Sequence, residues 1–169
     1  DKGFSLRDVV LATVFLADLR DFATFHRVHE HFFKDDPPAL CATGFDEVGH
    51  RGCRIEIELT AQLSDAKRSR APVAWAGAAP FHAPAAIRAG ALLFYSGIAG
   101  LGDGGQLVAS ADQLPVSARS LVRTLEKIER VPGLAAQCWA ALNTLRDTAL
   151  RAGSTLNEVV KTTVYLAEE

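Results

Sequence analysis

The chain has 169 residues, 49% of them hydrophobic and 22% charged, which suits one ordinary globular domain or two small ones. A net charge of −2 and a pI of about 6.2 provide no basic field for nucleic acid, and no apolar run reaches the ~18–20 residues of a membrane-spanning helix. Cys41, Cys53 and Cys138 are too few and too scattered for a disulfide framework or a CxxC metal site. The N-terminal DKGFSLRDVV lacks the charged start and apolar stretch of a signal peptide, so a soluble, cytoplasmic protein with free thiols is expected. There is no methionine, not even at position 1, which points to a cleaved, trimmed or partial product of a longer gene.

In chain order, residues 8–17 alternate and are rich in Val, Thr and Phe, which predicts a strand. Asp21 is the expected N-cap of a helix carrying Phe22, Phe25, Val28, Phe32 and Phe33 at helical spacing, closed by Pro37 and Pro38. Residues 39–46 form a second candidate strand and Val48–Gly52 a turn. In residues 53–63 Ile55, Ile57 and Leu59 alternate with Arg54, Glu56 and Glu58, predicting a third strand with one apolar face. Residues 64–80 turn charged and then Ala/Pro/Gly-rich, as a linker does. Residues 85–98 read as a hairpin and LGDGG, 101–105, as a turn; it matches neither phosphate-binding glycine pattern. Two helical patterns follow. One spans 116–130. The other spans 134–152, with Leu134, Cys138, Ala141, Leu142, Leu145 and Leu150 expected on its buried side and Gly153 at its C′ position.

The chain opens and closes on one element. GFSLRDVVLATVFLA (3–17) and GSTLNEVVKTTVYLA (153–167) are identical at eight of fifteen positions, at a constant offset of 150. Residues 159–167 are therefore expected to form the same strand as 8–17. Strands flanking helices throughout place the chain in the mixed α/β class.

Four segments carry a family resemblance: AGALLFYSG (89–97), GLAAQCWAALNTLRDTALRAGSTLNEVVKTTVYLAEE (133–169), DVVLATVFLADLRDFATFHRVHEHFF (8–33) and PPALCATG with RIEIELTA (37–61). Together they resemble the YjgF/RidA family, also called L-PSP or reactive-intermediate deaminases. The resemblance implies a chorismate-mutase-like α+β fold, a mixed six-stranded sheet with two helices on one face. It also implies assembly into trimers or pseudo-trimers, with a small-molecule ligand in a cleft between sheets. Family members have been labelled endoribonucleases, but neither a basic patch nor an aromatic platform supports that here, and from the residues no cofactor, metal, nucleic-acid or membrane partner is expected. The family order is permuted here. Residues 1–63 match the second half of one copy and 81–169 the first half of another, with 64–80 between them and an inserted helix near 107–132, as in a tandem protein.

Family enzymes hydrolyse enamines and imines. That chemistry needs a guanidinium to grip the substrate carboxylate and a carboxylate to orient water at the imine carbon. By resemblance Glu56 is the carboxylate, while Leu40 stands where the family has arginine. Cys41 adjoins that position, and Ser96 and Gly97 match the hairpin's "SG", followed by Ile98 where glutamine is frequent. Arg51 and Arg54 are the nearby substitutes for the missing guanidinium, each more in keeping with a surface role. Two functional readings follow. One is a hydrolytic deaminase with a degenerate first-copy site, in which Leu40→Arg would restore hydrolysis. The other is a non-catalytic ligand-binding or assembly-stabilising tandem module, such as the C-terminal extension of a diphthine–ammonia ligase-like protein. His26, His29 and His31 are expected on a solvated helix face; only the first two are spaced to share a metal.

Overall fold

In the computed structural model, residues 5–63, 70–77, 79–102, 104–128 and 131–167 are described. The expected residues 64–69 and 78 of the linker, Asp103 of the LGDGG turn and the repeat's Gly3 and Phe4 lie outside them. The chain divides into two units, Asp1–Gly97 and Ile98–Glu169. No helix among the described residues is long and apolar enough to cross a membrane.

The first unit is built on β1 (Val9–Leu16), whose β-branched and aromatic residues fit a pleated, half-buried surface. It lies between β2 (Ala39–Gly44), which runs parallel to it, and β3 (Ile55–Ala61), which runs antiparallel. A parallel neighbour requires a crossover, and α1 (Phe22–Phe32) supplies it. The helix stops ahead of Pro37 and Pro38, as expected. Asp21 precedes it but makes no side-chain cap; its carboxylate instead takes the Arg54 guanidinium, Nε at 2.9 Å. Asp18 caps the short 3-10 turn ahead of α1 by accepting from the Arg20 N–H.

Ala12, Val14, Leu16, Phe25, Leu40 and Ala83 form the core on the α1 side of this sheet. β3 alternates as the sequence predicts, yet all its residues are exposed, Ile57 and Leu59 each by 49%. It is an edge strand among the described residues, so its apolar face lies at the rim of the core.

A second sheet follows in the order β4 (Arg70–Val73), β5 (Ala86–Ala89), β6 (Leu92–Tyr95), all antiparallel. The hairpin β5–β6 is as expected. β4 was hidden in the segment that reads as a linker. It is a four-residue edge strand containing Pro72, and an edge is where a sheet tolerates a residue with no N–H. Arg70 anchors it by pairing with Asp36 and donating to the Pro37 carbonyl at 2.8 Å. Val10, Ala39, Ile87 and Ala89 form a second core cluster that joins the two sheets. Among the described residues the six strands form two sheets of three, consistent with the mixed α+β fold that the resemblance implies.

The second unit holds α2 (Val116–Glu126) and α3 (Leu134–Arg151). Its core is Val108, Ala111, Leu114, Ala118, Val122, Ala136 and Ala140. The buried side of α3 is Ala136, Ala140, Thr148 and Ala149, while Cys138, Leu142 and Leu150 are exposed, so the expected stripe is rotated. Close approach is the reason. A Cβ on Gly100 would sit 2.5 Å from the Gln137 Cα, and only small residues suit a helix packed that tightly. Gly133 opens α3 at φ 81°, with the Ala109 carbonyl oxygen 2.6 Å from where a Cβ would be. At the other end the Gly153 N–H donates to the Leu150 carbonyl and the Ser154 N–H to the Ala149 carbonyl, each at 2.9 Å. That is a Schellman stop with Gly153 at C′, as read from the sequence.

The repeat segment departs from expectation. Residues 159–167 form no strand, and Val160, Val164 and Leu166 are exposed. Their counterparts Val10, Val14 and Leu16 are fully buried in β1. The difference is pairing. β1 has β2 on one side and β3 on the other, and no strand among the described residues flanks 159–167.

Candidate functional site: the junction of β2 with the hairpin

The end of β6 is fastened to β2 by backbone geometry. The Gly97 N–H donates to the Leu40 carbonyl at 2.9 Å, and the Leu40 N–H donates to Ser96 Oγ at 2.9 Å. Ser96 Oγ in turn donates to the Pro84 carbonyl at 2.6 Å, and the Ser96 N–H to the Ala85 carbonyl. Ser96 is buried, and its hydroxyl joins two segments 56 residues apart in sequence. Gly97 lies against Cys41: a Cβ there would be 3.2 Å from the thiol sulfur and 3.4 Å from the Cys41 Cα. Four of the five residues singled out from the sequence, Leu40, Cys41, Ser96 and Gly97, are therefore brought together.

Removal of the Ser96 hydroxyl takes this hydrogen-bond partner from the Leu40 N–H and the Pro84 carbonyl. Ser96→Ala is expected to cost about 2–4 kcal/mol, more than a surface serine would, measured as the shift in urea midpoint at unchanged slope.

Glu56 stands apart from this group, for a reason fixed by register. Residues directly opposed across a ladder share a face, and successive residues alternate. Ala12 is opposite both Leu40 and Leu59, so Leu40 belongs to the α1 face together with Ile55, Ile57 and Leu59. Phe15 is opposite Thr43 and Glu56, and Thr13 is opposite Cys41 and Glu58. The opposite face therefore carries Cys41, Thr43, Thr13, Phe15, Glu56 and Glu58. The residue at the family arginine position points into the core, and the thiol beside it shares the face of the two carboxylates. With β1 intervening, Cys41 and Glu58 are about 10 Å apart across the sheet. Sequence reading selected Glu56 and passed over Glu58 as a solvated carboxylate. Only the parallel register of β2, which no spacing encodes, shows that Glu58 is the one level with Cys41.

Burial pushes the Cys41 thiol above its ordinary pKa, and this is its only resolved influence, so it stays protonated at neutral pH, which argues against a nucleophilic role. Arg54, one of the two substitutes considered for the missing guanidinium, is spent on Asp21. Arg51 lies exposed in the β2–β3 turn.

A histidine cluster was not expected on buried ground. His29 of α1 is 5% exposed, and neither of its ring nitrogens has a hydrogen-bond partner. Its ring stacks with His26 at 6.4 Å and lies 4.7 Å from the Phe33 ring. His26 Nε2 accepts from the His82 N–H at 3.0 Å, which ties the segment before the hairpin to α1. The i, i+3 spacing reads equally well as a solvated or an inward face. What decides is Phe25 and Phe33, which flank His29 and turn that side of the helix inward.

Comparison with known proteins finds similarity over the first part of the chain. The endoribonuclease L-PSP family model matches residues 1–63. A RutC family protein of Saccharolobus solfataricus is 37% identical over 62 residues, covering 37% of this chain and 48% of that protein. One from Sulfurisphaera tokodaii is 54% identical over 37 residues, 22% of this chain and 30% of that protein. The human 2-iminobutanoate/2-iminopropanoate deaminase is 39% identical over 59 residues, 35% of this chain and 42% of that protein. The chain thus spans about half or less of the length of these relatives. The matched segment is the one that folds as β1, α1, β2 and β3, a mixed parallel and antiparallel unit consistent with the fold of that family. Over its first 63 residues the chain is thus similar to the endoribonuclease L-PSP, or YjgF/RidA, family.

Proposed function

We propose that the face of Cys41, Thr43, Glu56 and Glu58 beside Gly97 is a RidA-type site for a reactive enamine, imine or related small metabolite, in a form that has lost its carboxylate clamp. The observation that carries this reading is the lock of Ser96 and Gly97 onto Leu40. It sets the "SG" of the hairpin against the strand that in the family bears the arginine. A water adding to an imine carbon on this face would have the Glu56 carboxylate to orient it and take its proton. The C–N bond then breaks, and ammonia and a keto compound leave. What is missing is the guanidinium that would hold a substrate carboxylate. Residues 1–63 then stand as the second half of one family copy and 81–169 as the first half of another.

The register supports position 41 as the place to restore a clamp. Position 41 is on the carboxylate face and position 40 is not. With a 2-imino acid generated in situ, the chain is expected to hydrolyse it slowly above background. Glu56→Gln should abolish that rate, and Cys41→Arg should raise it at least about tenfold, the value of one charged hydrogen-bonded contact. No hydrolysis by either the unsubstituted chain or Cys41→Arg, with the fold intact by circular dichroism, sinks the reading. That result would favour a non-catalytic binding or assembly module, a reading supported by the complete burial of Leu40.

A further inference from the structure

The segment that leads into β5 is held to α1 by groups that a proton would disturb. His29 lies on the covered side of α1 with both ring nitrogens closed off from the surface and without a hydrogen-bond partner. The Phe25 and Phe33 rings flank it, and Phe81 and Ala83 of the leading segment pack in the same apolar cluster as Phe25. The titratable groups that bear on His29 are His26 and Glu30 from α1 and His82 from the segment. Glu30 is the one acid of the three, and it stands 3.8 Å from His26 Nδ1. The tie itself is the His82 N–H, which donates to His26 Nε2 at 3.0 Å. An accepting ring nitrogen carries no proton, so neutral His26 has its N–H at Nδ1, on the Glu30 side. A second proton has only Nε2 to occupy, where it meets the His82 donor head-on. The bond from His82 Nε2 to the Lys34 carbonyl, at 3.1 Å, has no such conflict, because a protonated ring still donates there.

We propose that His26, His29 and His82 form an acid-opened latch, in which protonation of His26 and His29 releases residues 81–84 from α1. His29 gains its proton on opening, since in the closed state its nitrogens meet aromatic rings and no acceptor. The closed state holds its pKa at about 4 against an ordinary 6.5, so between those values falling pH favours the open state, which binds the proton. The released segment carries two further ties. The Trp75 indole N–H donates to the Ala83 carbonyl at 2.9 Å, and Ser96 Oγ donates to the Pro84 carbonyl at 2.6 Å. Opening therefore slackens the Ser96 lock two residues beyond His82, at the border of the proposed site. This last consequence alone rests on the function proposed above. Amide exchange reports the latch whether or not the chain hydrolyses an imine, so the two fail separately.

The test is hydrogen exchange of the 169-residue chain, resolved by NMR from pH 7.5 to pH 5 and corrected for intrinsic exchange rates. The reporters are the His82 amide and the Trp75 indole N–H, with the amides of β1 as the measure of global unfolding. Both reporters should exchange before β1, and their protection should fall roughly twenty- to thirtyfold over this range, the linkage expected from His29. His26→Gln leaves an amide oxygen as an acceptor that no proton blocks, and His29→Leu keeps an apolar side chain in place of the ring. In the double variant the fall should disappear. Reporters that exchange only together with β1 at every pH overturn the proposal. So does a His82 amide already unprotected at pH 7.5, or a double variant that keeps the fall.

Discussion

Acidification from pH 7 to 4 is expected to remove about 2–3 kcal/mol of folding stability through His29 alone. Its pKa is lowered from 6.5 to about 4, first by burial and then by the nearby His26 and His82, with Glu30 opposing. The folded state therefore holds the ring neutral where the unfolded chain protonates it. Between those two values the unfolded state binds more protons, and stability falls as the pH falls. The contribution is fully present above about pH 6.5 and is lost as the pH drops to about 4. The geometry supports this sign. Both ring nitrogens are orphaned among Phe25, Phe33 and the His26 ring, so a proton added there finds no acceptor. Urea midpoints for the unsubstituted chain and His29→Leu, measured from pH 7.5 to pH 4, test the assignment. The variant should lose most of the slope in this window and gain stability at pH 5, because an unsatisfied polar ring is replaced by an apolar side chain. Parallel slopes in the two proteins would place the acid sensitivity elsewhere.

Leu40→Ala is expected to lose about 2–5 kcal/mol, the cost of a cavity in a packed core. Leu40 is fully buried among Ala12, Val14, Leu16 and Phe25. Leu40→Arg should be worse, since it forces a guanidinium into that core with no carboxylate on its face to pair with. This revises what the sequence suggests, namely that arginine at position 40 restores hydrolysis. An arginine there would face α1, and Glu56 and Glu58 are on the other side of the sheet. The comparison with Cys41→Arg is decisive. A stable, active Leu40→Arg protein would show that β2 is rotated from the register described, and with it the assignment of the site face.

Much of the scaffold was legible before any coordinates. β1, α1, β2, β3, the hairpin and the Gly153 helix stop follow from alternation, proline, glycine and helical spacing, which are local properties of the chain. The family resemblance was equally local, carried by contiguous motifs in residues 8–33, 37–61, 89–97 and 133–169. The meeting of Ser96 and Gly97 with Leu40 and Cys41 was legible only through that resemblance, because hydrogen bonds spanning 56 residues leave no periodic trace.

Three features needed the tertiary structure. The short β4 becomes a strand because β5 offers it an edge, and propensity alone cannot see that edge. The α3 stripe rotates because packing at Gly100 selects small residues over leucines. The repeat is the sharpest case. Leu6–Asp8 and Leu156–Glu158 form the same capped 3-10 turn, yet Val9–Leu16 is a strand and 159–167 is not, for β-structure is stabilised by pairing with strands distant in sequence. The amino-acid sequence determined that 159–167 is fit to be a strand; whether it is one was decided by the neighbours available to receive its hydrogen bonds.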